Sequence, residues 1–251
     1  MIYFIGAGPG AVDLITVRGA ELLRSAKRII YAASLVNPEI IAEYSRKECE
    51  IFDSSAMTLD EITGLLVSGH EQGLLTVRLH SGDPAIYGAV REQMNVLRQK
   101  GIPFEVVPGV SSLFAVSSAL KTEYMIPGGT QTLIISRMAG KTPVPERESV
   151  KSLAVHGASM AVFLSSSMTA KVCAELIEGG FSPDTPAALV FRASWPDERV
   201  IRATLSTLPE LSQGITKTAI ILAGDFLDDN FGSASRLYDK NFSHEYRNGI
   251  H

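Results

Sequence analysis

A chain of 251 residues begins with the segment Ile2-Tyr3-Phe4-Ile5-Gly6-Ala7-Gly8-Pro9-Gly10, which indicates the fold more clearly than any other. Its apolar beginning predicts a buried strand, and the glycines that follow predict a loop whose backbone can approach a ligand closely. Thr16 is placed to cap a helix over residues 17–26, and residues 28–31 read as a second strand. An alternation of strands and helices therefore begins here.

The alternation continues through the first half of the chain. Residues 59–69 and 89–100 have helical spacing of apolar residues, and Gly101 is a typical helix stop. Strands are predicted at residues 74–79 and 104–107. This order is typical of a parallel sheet with helices on both faces.

The second half contains more strands and fewer helices. Strands are predicted at residues 132–136, 160–164, 187–191, 200–204 and 219–223, and the clearest helix at residues 169–178. The loop between residues 191 and 200 is too short for a helical crossover, so its two strands should be antiparallel. We therefore expect two α/β domains: 1–115 with a mostly parallel sheet and helices on both faces, and 116–251 with a mixed α+β sheet.

Composition narrows the class of protein. A net charge of −4 does not indicate a nucleic-acid partner, which usually needs a basic stripe. Cys49 and Cys173 are the only cysteines, which suggests a reduced, cytoplasmic protein and excludes a zinc site built from cysteines alone. No apolar run approaches the ~20 residues of a membrane helix, and the N-terminus lacks a signal-peptide pattern. We expect neither membrane association nor a metal.

The glycine-rich loop is not a nicotinamide-cofactor fingerprint. Residues 11–15 separate the glycines from the first helix, and residues 30–33 lack the acidic side chain that would bind a ribose. A purely structural turn remains the alternative at this point.

Two further loops rich in glycine and serine follow predicted parallel strands. The first is Arg78-Leu79-His80-Ser81-Gly82-Asp83-Pro84-Ala85-Ile86-Tyr87-Gly88, and the second is Val106-Val107-Pro108-Gly109-Val110-Ser111-Ser112. Asp83 suits ribose hydroxyls or an ammonium group, or it is simply a turn residue; the two serines offer hydroxyls to a ligand or cap a helix. Because open α/β sheets bind ligands beyond the carboxyl ends of their strands, the three loops should form one cleft.

Together these motifs resemble the tetrapyrrole methylase family. The resemblance rests on residues 6–16, on Ser-Gly-Asp-Pro at 81–84 and on Val-Pro-Gly-Val-Ser-Ser at 107–112, and it extends over nearly the whole chain. Residues 31–37, 137–146, 163–165 and 194–198 are most similar to the branch that methylates C11 of precorrin-4 or cobalt-precorrin-4.

The resemblance implies a methyl donor and its site. Members of the family bind S-adenosylmethionine (AdoMet) in a cleft between two α/β domains and release S-adenosylhomocysteine. The residues implied to bind AdoMet are Pro9, Ser81, Gly82, Asp83, Ile86, Ser111, Ser112, Leu164, Ser165, Ala193, Thr218 and Ala219. The resemblance also implies a homodimer.

The implied methyl acceptor is a tetrapyrrole with many carboxylates, for which basic residues are expected near the cleft. The basic candidates are Arg78, His80, Arg137 and Lys141, although solvated surface charge is an equal alternative for the last two. Gly8, in the glycine-rich loop near the cleft, is also implied to touch the tetrapyrrole. Trp195 is expected either to pack at the interface of the two domains or to lie against the macrocycle. No catalytic base is assigned, because Ala32 and Ala33 stand where some relatives have an aspartate.

Three alternatives stay open at this stage. One is methylation of a different corrin carbon, and another is an RNA or protein methylase of the same fold. The third is a nucleotide-binding module without activity, which would not need the motifs at residues 142–146 and 194–198.

Overall fold

A computed structural model describes residues 1–230, 232 and 234–249. It contains two compact units. Unit 1 comprises Met1–Val116 together with Arg192–Glu198. Unit 2 comprises Ser117–Phe191 and the described chain from Arg199 onward.

Unit 1 contains five parallel strands in the order β3-β2-β4-β1-β5. The strands are β1 (Ile2–Gly6), β2 (Arg28–Tyr31), β3 (Glu50–Asp53), β4 (Thr76–His80) and β5 (Phe104–Val107). The helices are α1 (Val17–Ser25), α2 (Pro38–Tyr44), α3 (Leu59–Glu71), α4 (Arg91–Gln99) and α5 (Ser112–Leu120). The last helix runs on into unit 2.

The two faces of this sheet have separate cores because neighbouring strand residues point to opposite sides. Ile5 packs with Leu23 of α1 and Ile40 of α2 on one face. Phe4 packs with Leu66 of α3 and other apolar residues of α3 and α4 on the opposite face. The predicted parallel sheet with helices on both faces is confirmed.

Unit 2 contains a mixed sheet in the order β6-β7-β10-β8-β9. Its strands are β6 (Leu133–Arg137), β7 (Ser159–Phe163), β8 (Pro186–Phe191), β9 (Arg199–Thr204) and β10 (Ala219–Ala223). The helices are α6 (Val150–Ala154), α7 (Thr169–Glu178) and α8 (Leu208–Leu211). Only β6 and β7 are parallel, and β8 and β9 are antiparallel as the short connection predicts.

Most predicted elements agree with the structure to within one or two residues, and Thr16 caps α1 by accepting a hydrogen bond from the Gly19 N–H. Strand β3 was not predicted. It lies at the sheet edge, and its residues are mostly exposed, so it lacks the apolar run that marks a buried strand. In the described part of the chain, no helix has the length and apolarity to span a membrane.

Candidate functional site

The three glycine-rich loops meet at one edge of the unit 1 sheet. They follow β1, β4 and β5, which are neighbours in the sheet order, so their carboxyl ends are adjacent. Gly8 and Gly82 form an isolated antiparallel bridge, in which the Gly82 N–H donates to the Gly8 carbonyl at 2.8 Å. The Ala7 N–H donates to the His80 carbonyl at 2.7 Å. These bonds join the first two loops.

Glycine is required where the first and third loops touch. A Cβ atom on Gly6 or on Gly109 would overlap the backbone of the other residue and the carbonyl oxygen of Gly82. Because only backbone surrounds these positions, no side-chain movement would relieve the overlap. The three loops therefore form one close-packed backbone surface.

The Asp83 carboxylate holds two of these loops together. One carboxylate oxygen accepts the Ala85 N–H at 2.8 Å, and the other accepts the Gly109 N–H, also at 2.8 Å. The carboxylate thus closes its own turn and ties it to the loop after β5. This geometry makes Asp83 a positioning residue, whether or not its remaining lone pairs also contact a ligand.

The other predicted cofactor residues of unit 1 lie in the same loops. Ser111 is buried and its hydroxyl accepts the Leu113 N–H at 3.2 Å, while Ser112 is the first residue of α5. Ile86 lies in the turn after Asp83, followed by Tyr87 and Ala89 with φ values of 54° and 49°. Non-glycine residues with positive φ each cost about 1–3 kcal/mol and are typical of ligand-binding loops.

Arg78 and His80 lie at the end of β4 but are buried, with 6% and 7% of their surfaces exposed. Arg78 donates to the Gln93 side chain, the Ile30 carbonyl and the Ser54 hydroxyl, at 3.0–3.2 Å. Burial lowers the pKa of Arg78 to about 10. These contacts tie the end of β4 to β2, to the segment after β3 and to α4.

His80 is stacked on Phe4, with ring centroids 6.1 Å apart. Its Nε2 is buried and has no hydrogen-bond partner among the described residues. Burial, reinforced by the neighbouring Arg78 charge, lowers the pKa of His80 to about 3. A neutral, enclosed imidazole is poorly suited to pair with a substrate carboxylate.

In unit 2, Leu164 and Ser165 follow strand β7. Leu164 combines a φ of 54° with 66% exposure, an unusual environment for leucine. Ser165 is fully buried, donates to the Phe163 carbonyl at 2.6 Å and accepts the Met138 N–H at 2.9 Å. Thr218 has a φ of 53° and precedes Ala219, the first residue of β10. Ala193 lies in the segment that belongs to unit 1.

The two basic candidates of unit 2 differ in their surroundings. Arg137 donates to the carbonyls of Met138, Thr142 and Pro143, so it holds the loop after β6 together. Lys141 lies in that loop and is exposed. The Lys141 ammonium group is therefore freer than the Arg137 guanidinium group.

Sequence reasoning did not identify the side chains that hold the glycine-rich loop. The Trp195 indole N–H donates to the Pro9 carbonyl at 2.9 Å, and the Ala11 N–H donates to the Ser194 hydroxyl at 3.0 Å. Asn37 donates to the Gly10 carbonyl at 2.9 Å. Residues 31–37 and 194–198 were recognised in the sequence as motifs, but their meeting point depends on long-range folding.

Strand β3 ends at Asp53, whose carboxylate lies beside Ala33, one of the two alanines that stand in place of a carboxylate. Asp53 Oδ1 accepts hydrogen bonds from the Ser55 hydroxyl at 2.6 Å and from the Ala33 N–H at 3.0 Å. The bond from the Ser55 hydroxyl, followed by that from Ala33, lowers the pKa of Asp53. The Asp53 carboxylate is therefore kept ionised at this edge of the sheet. Within the described residues, no three histidine, cysteine, aspartate or glutamate residues are grouped to hold a metal ion.

Fold and site together define a class: an α/β protein whose glycine-rich loops form one close-packed backbone surface at the carboxyl edge of a parallel sheet. The sequence model of the tetrapyrrole (corrin/porphyrin) methylases matches residues 1–209. The chain belongs to this family.

Similar proteins support the same assignment. A cobalt-precorrin-4 C(11)-methyltransferase from Methanocaldococcus jannaschii is 48% identical, covering 98% of this chain and 95% of its own. The X-ray structure of a cobalt precorrin-4 methyltransferase superposes with a TM-score of 0.88 at 46% identity, over 90% of this chain and 95% of the other. A uroporphyrin-III C-methyltransferase from Thermus thermophilus, complexed with S-adenosylhomocysteine, has a TM-score of 0.75 at 27% identity, over 90% and 93% of the two chains.

Proposed function

We propose that this protein transfers the methyl group of AdoMet to C11 of precorrin-4 or cobalt-precorrin-4 in cobalamin biosynthesis. The observation that carries the proposal is 48% identity to a cobalt-precorrin-4 C(11)-methyltransferase across 98% of the chain. The glycine-rich surface described above supports it, because open α/β sheets bind ligands beyond the carboxyl ends of their strands.

We propose that the glycine-rich loops of unit 1 bind AdoMet, the methyl donor. Gly82 has a φ of 63°, a backbone conformation that favours glycine, and it forms the bridge to Gly8. We propose that Pro9, Ser81, Gly82, Asp83, Ile86, Ser111 and Ser112 form the donor site in unit 1, together with Ala193. In unit 2 we propose that Leu164, Ser165, Thr218 and Ala219 contact AdoMet, and the positive φ of Leu164 and Thr218 supports a ligand-binding role.

Bound AdoMet supplies an electrophilic methyl group on a sulfonium, so the chemistry needs alignment and exclusion of water more than acid or base catalysis. The chain contributes rigidity. Asp83 ties the loop after β4 to the loop after β5, and Arg78 holds the strand end from within. No side chain is assigned as a base.

Gly8 and Lys141 are our main candidates for contact with the tetrapyrrole. Gly8 belongs to the backbone surface, and Lys141 has an exposed ammonium group that can pair with a substrate carboxylate. Arg137 is proposed to act through the loop that it holds. For Arg78 and His80, burial favours support of the site over direct contact.

The experiment is a methyl-transfer assay with purified protein, ¹³C-methyl-labelled AdoMet, and precorrin-4 and cobalt-precorrin-4 as separate acceptors. The proposal requires one labelled methyl group, placed at C11 by NMR, from at least one of them. A label on another corrin carbon would favour the alternative of a different methylase in the same family. No transfer to either acceptor, or failure of AdoMet to bind by calorimetry, would contradict the proposal.

We also propose that the protein is a cytoplasmic homodimer without a nucleic-acid partner. Free Cys49 and Cys173 are consistent with a reducing compartment, and a net charge of −4 disfavours nucleic acid. Light scattering coupled to size-exclusion chromatography should give twice the mass of 27.0 kDa. A mass of one chain would contradict the dimer.

A further inference from the structure

Three consecutive residues of the glycine-rich loop are held by side chains from two distant segments. The Pro9 carbonyl accepts the Trp195 indole N–H, the Gly10 carbonyl accepts the Asn37 amide, and the Ala11 N–H donates to the Ser194 hydroxyl. All three bonds are 2.9–3.0 Å long. We call Asn37, Ser194 and Trp195 the clasp.

The clasp fits the loop closely at Gly10. A methyl group added there would overlap the Trp195 indole ring, so the glycine provides the space in which the ring lies. Asn37 is buried and is itself fixed, because its Oδ1 also caps α2 through the Glu39 N–H at 3.0 Å. Loop and clasp are therefore matched to each other.

The segment that carries Trp195 is held in an uncommon conformation. Arg192 and Ser194 have φ values of 48° and 69°, in the region that favours glycine. The Arg192 guanidinium lies 3.9 Å above the centre of the Trp195 ring and pairs with Asp197 at 2.6 Å. The Ser194 N–H donates to the Glu198 carboxylate at 2.6 Å. So many local contacts on a strained turn indicate that the placement of Trp195 has a function.

The two halves of the loop have different supports. Residues 6–8 are bonded to the loop after β4, which carries the residues proposed for AdoMet. Residues 9–11 are bonded to the clasp. Pro9 is among the residues proposed for AdoMet, and the neighbouring Gly8 is proposed for the tetrapyrrole. The clasp therefore fixes the loop backbone next to both.

We propose that Trp195, with Asn37 and Ser194, is a positioning residue that sets the conformation of residues 9–11 for bound AdoMet and its tetrapyrrole acceptor. This inference rests on the proposed function and deepens it. Trp195 holds Pro9, which is proposed for AdoMet, and Pro9 follows Gly8, which is proposed for the tetrapyrrole. The loss of the clasp should therefore weaken the binding of both.

The contact itself is tested without any assay of activity. Trp195 is the only tryptophan in the chain, so intrinsic fluorescence reports on the clasp alone. In Gly10→Ala the indole must move, and we expect a red-shifted emission with stronger quenching by acrylamide. Emission and quenching identical to the unmodified protein would overturn the clasp.

The role of the clasp is tested by kinetics with the full-length protein. Trp195→Phe keeps an aromatic ring but removes the N–H, and Ser194→Ala removes the acceptor for the Ala11 N–H. We expect each to raise both the Kd for AdoMet and the KM for the tetrapyrrole by up to about tenfold, the usual effect of one lost hydrogen bond.

Val172→Ala, in the core of unit 2, is the control for general destabilisation. It should lower the unfolding midpoint without changing the Kd for AdoMet or the acceptor KM. An unchanged Kd for AdoMet together with an unchanged acceptor KM in both clasp variants would overturn the inference. Failure of the proposed function is distinguishable, because it would appear in the unmodified protein as absence of C11 methylation.

Discussion

His80 is expected to make the stability of this protein pH-dependent. Burial beside Arg78 lowers the pKa of His80 to about 3, whereas histidine in an unfolded chain has a pKa of about 6.5. As the pH falls, the unfolded chain therefore binds this proton before the folded protein does. The contribution of His80 is complete above about pH 7 and decreases as the pH falls toward 3.

The size of the effect follows from the two pKa values. At pH 5 the unfolded imidazole is mostly protonated, and the folded one is not. Linkage gives a loss of about 2 kcal/mol in the free energy of unfolding between pH 8 and pH 5. The figure depends little on the folded pKa, provided that it lies below about 4.

The assay compares the unmodified protein with His80→Phe, which keeps a ring against Phe4, and with His80→Gln. Urea unfolding at pH 8 and pH 5 should show that each variant loses about 2 kcal/mol less of its free energy of unfolding than the unmodified protein does. The carboxylate contributions cancel in this comparison because they are common to all three proteins. NMR of histidine-labelled protein gives a direct check. The signal that is absent from the His80→Gln spectrum should not titrate between pH 8 and pH 5. A titration midpoint near 6.5, or an equal loss in all three proteins, would refute the reasoning.

Further predictions concern the loops and the acceptor. Asp83→Asn leaves one backbone N–H facing an amide donor, so AdoMet affinity measured by calorimetry should fall at least tenfold; unchanged affinity would contradict the positioning role. Gly109→Ala should weaken AdoMet binding similarly, because backbone atoms surround the added methyl group. Its control is Gly64→Ala, on the open side of α3, which should raise the free energy of unfolding by about 0.5–1 kcal/mol and leave methyl transfer unchanged. Lys141→Ala should raise the KM for the tetrapyrrole several-fold and reduce its dependence on salt, and an unaffected KM would show that Lys141 is surface charge only.

The sequence allowed most of the fold to be predicted because the buried strands of unit 1 are continuous apolar runs and the loops after them contain glycine. Strand β3 escaped prediction because an exposed edge strand has no such run. The convergence of the three loops was also predictable, since parallel strands end at one edge.

What the sequence could not show was the environment of individual polar groups. Arg78 and His80 stand next to the glycine-rich motif, but residues 76, 78 and 80 are on the same side of β4 and are buried there. Their burial depends on α4 and on the segment after β3, which approach only in the folded chain. The clasp was hidden for the same reason, because Trp195 and Pro9 are 186 residues apart.

The carbon that receives the transferred methyl group decides whether this protein is a C11-methyltransferase. The unmodified protein, given ¹³C-methyl AdoMet and either precorrin-4 or cobalt-precorrin-4, should produce a tetrapyrrole with one new labelled signal, assigned to a methyl group on C11. A signal on any other carbon, or no labelled tetrapyrrole with either acceptor, would show that it is not.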